Sequence, residues 1–116
     1  MTVGALLKSA LTDLKYPVYP IQYDGDADHY FVYDILDDRG DDFGDDIPDV
    51  DHYWIRLKFY YPLGENQFAM RKTVRNLLHG AGFSYADITE VSFPDEGMDG
   101  LEWNCEYIAE SEVSNG

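Results

Sequence analysis

A chain of 116 residues has the length of one domain. Its 23 acidic and 8 basic residues leave a formal net charge of −15; this speaks against binding nucleic acid through its phosphates and against an anionic membrane surface. A hydrophobic fraction of 45% with 16% aromatics excludes disorder throughout, and no run approaches the roughly 20 apolar residues of a membrane span.

The N-terminal stretch MTVGALLKSALTDLK lacks the features of a signal peptide and reads as an amphipathic helix over 3–15. Thr2 is a suitable N-cap. Val3, Leu6, Leu7, Ala10, Leu11 and Leu14 recur at helical spacing, and Pro17 ends the helix. Val18–Tyr23 is a short extended piece, an edge strand or the approach to one, because Pro17 and Pro20 cannot donate to a ladder. Asp24–Asp28 is a turn. In His29–Leu36, Phe31, Tyr33 and Ile35 alternate with Tyr30, Val32, Asp34 and Leu36, which predicts a strand.

Residues 37–49 lack apolar periodicity and contain two glycines and a proline, so they read as a loop. Twelve aspartates, no glutamate and one basic residue, Arg39, lie between Asp24 and Asp51. The alternation resumes at Val50. Tyr53, Ile55, Leu57, Phe59 and Tyr61 take the core face; His52, Trp54, Arg56, Lys58 and Tyr60 take the other. A second helix is expected over 67–80, capped by Asn66, with Met70, Val74, Leu77 and Leu78 buried and Arg71, Lys72 and Arg75 exposed. Gly80 and Gly82 supply its stop signals. Strands follow over 88–93 and 101–109, joined by a turn over 94–100.

The order α-β-β-β-α-β-β with hairpin connections predicts a single α+β domain over 1–110 and a polar C-terminal tail over 111–116. Its sheet would be a largely antiparallel one of four to five strands, with both helices on one face.

Catalytic signatures are missing. Asp24, Asp26 and Asp28 have the spacing of a calcium loop, but His29 and Ile35 stand where that loop needs Gly and Glu. His29, His52 and His79 have no metal-ligand spacing. Cys105 falls on the apolar face of a strand; as the one cysteine it excludes an internal disulfide and fits a reducing compartment. Glycines in GDDFG are too acidic in setting to cradle phosphate. The expectation is a protein that is not an enzyme and carries no cofactor or metal. Aromatics on both faces of the strands are read either as cross-strand pairs or as a subunit interface. Trp54, Arg56, Lys58 and Tyr60, with Arg71, Lys72 and Arg75, are the candidate interface. Asp37, Asp38, Asp41, Asp42, Asp45, Asp46, Asp49 and Asp51 form the candidate acidic loop.

The succession LLKSALTDLKYPVYP, HYFVYDIL, an Asp-rich gap, DHYWIRLKFYY, NLLHGAGFSY and LEWNCEYIAE resembles the small tail-completion or tail-terminator proteins of long-tailed bacteriophages, over roughly residues 3–109. The resemblance implies an α+β fold that assembles as a ring, often a hexamer, on the end of the tail tube. It implies the tail tube protein and the head–tail connector as partners. The place implied is the virion tail, after synthesis in the host bacterial cytoplasm. In that setting the acidic loop would fringe the DNA channel and repel passing phosphates. The alternative is an acidic DNA mimic that inhibits a DNA-binding protein; against it, most of the acids fall in a glycine-broken loop.

Overall fold

Thr2 caps the first helix as its residue type predicts: its Oγ1 accepts a hydrogen bond from Ala5 N at 3.1 Å. The computed structural model describes residues 2–41, 50–93 and 97–110, with side chains for 2–36, 52–92 and 97–108. Helix α1 spans Val3–Leu11 and tightens into a single 3-10 turn over Thr12–Leu14. It is thus one turn shorter than the apolar spacing implies. The Thr12 hydroxyl donates back to Lys8 O at 2.8 Å, and Lys15 takes a left-handed φ of 62° that turns the chain toward Pro17.

The strands are β1 (Val18–Pro20), β2 (Tyr30–Asp41), β3 (Val50–Pro62), β4 (Asp87–Phe93) and β5 (Met98–Glu110). They form one sheet in the order β1-β2-β3-β5-β4. All neighbours are antiparallel except β1 and β2, which run parallel. Helix α2 (Met70–Gly80) links β3 to β4. The fold is α+β, with the expected order of elements.

Both helices cover the same face of the sheet. Val3, Leu7 and Leu11 of α1 and Val74 and Leu78 of α2 pack with Phe31, Ile55, Leu57, Phe59, Leu101 and Trp103 in one buried cluster. Burial of these apolar surfaces is the main stabilising term. Trp103 is fully buried at its centre, and its indole N–H donates to the Arg71 carbonyl at 3.0 Å. That bond ties the first turn of α2 to β5.

Helix α2 begins three residues later than Asn66 suggested. Asn66 Oδ1 accepts from Phe68 N at 3.1 Å, a local turn that delays the helix, and it leaves Phe68 67% exposed rather than beside the buried stripe. The C-terminus follows expectation. Gly82 has φ +103°, and Phe83 N bonds back to Leu78 O at 3.0 Å, with the Phe83 ring buried.

The largest departure concerns the acidic segment. Strand β2 does not stop at Leu36. It continues through Asp41, paired with β3 from Asp37↔Trp54 to Asp41↔Val50. Leu36 has no register partner; it forms a bulge between Ile35↔Ile55 and Asp37↔Trp54. On the other side β3 stays paired with β5 out to Val50↔Glu110. A three-stranded ribbon therefore runs beyond Ile55 and Cys105, where the tightly buried core ends. Five residues of strand add about 17 Å at the usual rise.

Candidate functional site

The face of the sheet turned away from the helices carries the alternate residues of β3. Trp54, Arg56, Lys58 and Tyr60 lie there, as the alternation predicts. The Tyr60 ring packs at a tilt against Tyr30 at 5.2 Å, Tyr30 against Tyr23 at 4.6 Å, and Tyr23 against Tyr19 at 5.1 Å, which makes a row of four tyrosines across one corner. At the other end His52 stacks on Trp54 at 5.5 Å, and His52 Nδ1 lies 2.9 Å from Glu106 Oε2. Arg56 faces Asp34, its cross-strand partner, at 3.7 Å. The cross-strand and interface readings of these aromatics are thus compatible: the rings pair with one another and still leave Trp54 38% exposed.

Two shallow grooves of about 260 Å³ each reach these residues. One is bordered by Leu36, Trp54, Tyr85, Asp87, Asn104 and Glu106 and reaches Ile55 and Cys105 of the core face; the other is bordered by Tyr23, Tyr30, Val32, Asp34, Lys58 and Tyr60.

Arg71, Lys72 and Arg75 are elsewhere. Val74 and Leu78 hold α2 against the helix-bearing face, and its cations flank that contact, Arg71 bordering a groove with Tyr61, Glu90, Asp99 and Leu101 of the sheet. The seven candidate interface residues therefore divide into two surfaces with the sheet between them. Spacing along the chain cannot show this, since the side on which a connecting helix packs is a property of the whole sheet.

The α2 surface has a feature that residue type alone does not reveal. The Arg71 guanidinium lies over the Phe68 ring at 4.8 Å, and that of Arg75 over the Tyr85 ring at 5.2 Å. The His79 ring stacks on the same Tyr85 at 4.7 Å. Phe68 and Tyr85 are both about two-thirds exposed. The legible signal was the spacing Phe68, Arg71, Arg75, His79, one stripe of a helix and its entry turn.

Of the candidate acidic loop, Asp37, Asp38 and Asp41 belong to β2 and Asp51 to β3. Asp42, Asp45, Asp46 and Asp49 lie outside the described residues. Composition marked the whole run as loop because Asp and Gly disfavour strands; pairing with β3, which is itself held by β5, outweighs that local preference.

His29 is hydrogen bonded rather than free. Its Nδ1 lies 2.8 Å from Asp28 and its Nε2 2.8 Å from Glu65, and its ring stacks on Tyr16 at 5.5 Å. The Glu65 carboxylate above all, then Asp28, raises its pKa against the opposing effect of burial. Cys105 is buried against the core, and burial pushes its thiol up to about 12. Among the described residues no three His, Cys, Asp or Glu side chains are placed to hold a metal ion. No described helix is long and apolar enough to cross a membrane.

No protein-family model matches the chain, and no characterised protein matches it in sequence.

Proposed function

We propose that this chain is a structural virion protein of a long-tailed phage, which closes as a ring on the end of the tail tube and joins it to the head connector. The observation that carries the reading is the ribbon. Asp37, Asp38, Asp41 and Asp51 sit in a paired three-stranded extension that runs past the core. Acid held at the end of a stiff arm can be placed in a ring opening, where each copy adds to a field that repels passing phosphates. The open face of the sheet, with Trp54, Arg56, Lys58 and Tyr60, suits contact with a neighbouring subunit or with the tube, since aromatics and arginine are favoured in such contacts. In this reading the protein performs no catalysis and needs no cofactor.

The test is mass measurement of the purified protein, alone and with tail tubes, together with imaging of the capped tube end. A closed ring on the tube, with the ribbon ends at its opening, is the expected outcome. Ribbon ends on the outer rim remove the channel role, and a protein that never associates with tubes removes the whole reading. Because the copies can close a ring on the tube alone, a monomer in isolation is compatible with it.

One observation favours the DNA-mimic alternative more than composition did. Four of its aspartates stand in strand register, and a mimic needs carboxylates on rigid elements. Displacement of DNA from a basic DNA-binding protein, without ring formation at micromolar concentration, is the outcome that selects it.

A further inference from the structure

The chain has 23 acidic side chains, yet the cations of α2, Arg71, Lys72 and Arg75, pair with none of those among the described residues. Arg71 borders a groove that also holds Glu65, Glu90 and Asp99, yet its guanidinium turns to Phe68 instead. The Nε atoms of Arg71 and Arg75 are buried and lack a hydrogen-bond partner, while the outer ends of both groups lie along exposed rings. Three of the eight basic residues, and His79, fall in residues 66–86, where there is no aspartate or glutamate at all. This is the one acid-free stretch of comparable length in the second half of the chain, and the structure folds it into a single cationic and aromatic strip: Phe68, Arg71, Lys72, Arg75, His79 and Tyr85.

We infer that this strip is a docking surface for the Asp-rich ribbon of a second copy of the chain. Charge complementarity selects the occupant. The segment 36–52 holds eight aspartates against Arg39 as its one basic residue, the strongest concentration of carboxylate the molecule offers. Guanidinium groups laid on aromatic rings are held in place and give a carboxylate a preformed planar donor at small entropic cost. Strip and ribbon are different surfaces, so the contact is heterologous: each copy gives its ribbon to one neighbour and its strip to another, and the chain of contacts can close into a ring. The inference rests on the ring reading in taking a second copy as the occupant. It goes beyond that reading in moving the charged part of the contact from the open face of the sheet to α2.

The probe is a fluorescent peptide of residues 36–52, titrated with the full-length protein by anisotropy. Saturable binding that weakens as salt is raised from 50 to 300 mM is expected, at roughly the rate at which screening shortens the range of charge. Arg71→Glu with Arg75→Glu weakens it at least about tenfold, and so does Lys72→Glu with Arg75→Glu, a second pair that spares Arg71 in case the first disturbs the fold. Lys8→Glu on α1 with Lys15→Glu just past the 3-10 turn makes the same change in net charge and leaves binding within about twofold. Absence of binding, binding that survives both α2 pairs, or equal loss from the α1 pair overturns the assignment. An oligonucleotide that binds the strip more tightly than the peptide does likewise. If the peptide fails while the protein still rings the tube, the contact is wrong and the ring reading stands; if neither occurs, both fall.

Discussion

Trp103 shows how much one side chain can hold. It is fully buried, touches the Phe31 ring at 6.3 Å between centroids, and reaches α2 through its indole N–H. Trp103→Phe keeps an aromatic ring but leaves the Arg71 carbonyl without this donor and opens space in the core. A loss of about 2–3 kcal/mol is expected from urea unfolding. Cys105 offers a check on burial with no mutation. With its thiol pushed up to about 12, almost no thiolate exists at pH 8. Iodoacetamide should label the native protein very slowly, and the urea-unfolded protein within minutes. Rapid native labelling would mean that β5 opens locally. His29 makes stability depend on pH. Its folded pKa lies above the ordinary 6.5, so its contribution is fully present below that value and is lost as pH rises through the raised one. Asp28, lowered from its ordinary 3.8 chiefly by the hydrogen bond to His29, contributes above that value and loses it as pH falls. The stabilisation therefore peaks in the mildly acidic window between them. Glu65→Gln should cost up to about 1 kcal/mol there and less as pH rises through the raised His29 pKa, so melting curves of the two proteins draw together as pH rises.

Among the elements, β1 is the one whose geometry is least ordinary. Pro20 O accepts from Gln22 N at 2.6 Å across Ile21, whose φ is +63°. This is a γ-turn of the strained, positive-φ kind, with a β-branched residue at its centre. The chain needs it because β1 must leave the sheet at once and return through residues 21–29 to pair β2 in parallel. Ile21 is 76% exposed, so no packing compensates the strain. Ile21→Gly removes the Cβ clash of about 1–2 kcal/mol and gives back part of it in chain entropy. A net gain of about 0.5–1 kcal/mol in thermal unfolding is the expected result, and a loss would show that the isoleucine holds something in place. No local signal announced this turn; Pro17 and Pro20 marked an edge strand but not its direction. Elsewhere the elements were readable. The alternation from Tyr53 to Tyr61 assigned the core face of β3 because one face is buried and the period is two. The helical stripe of α2 likewise named Val74 and Leu78. What escaped were facts that depend on distant partners: the extension of β2 through Asp41, the bond from His29 to Glu65, and the separation of Trp54 from Arg71 by the thickness of the sheet. Each is settled by pairing between segments and not by local preference: Asp and Gly read as loop until β3 pairs with them, and Glu65 reaches His29 only through the fold.

For the molecule as a whole, the question is why a chain with a net charge of −15 keeps its acids crowded in one place. Spread evenly over the surface, the same charge would repel weakly everywhere. Concentrated in the ribbon, it sets Asp37, Asp38, Asp41 and Asp51 into strands whose neighbours are themselves paired, with Gly40↔Asp51 and Asp41↔Val50 at the far end. The register sets none of the four directly opposite another, but like charges crowded in one segment repel at longer range, and that self-repulsion grows as salt is withdrawn because the screening length lengthens from about 8 Å at physiological salt to about 30 Å at 0.01 M. The folded protein should therefore melt at a lower temperature in 10 mM than in 300 mM sodium chloride. Asn in place of all four aspartates should raise stability in low salt and flatten that dependence, since it removes four charges without changing side-chain size. Four acids away from the ribbon, Asp13, Glu65, Glu90 and Glu102, changed to Asn or Gln provide the comparison; Glu65 also loses its histidine partner, so this set should be less stable at mildly acidic pH and retain most of the salt dependence. If instead both sets flatten it equally, the repulsion belongs to net charge and not to the ribbon, and the crowding of aspartates has no energetic cost for function to offset. If the ribbon set alone does so, the fold tolerates a standing strain at the one place where the proposed ring would need dense negative charge.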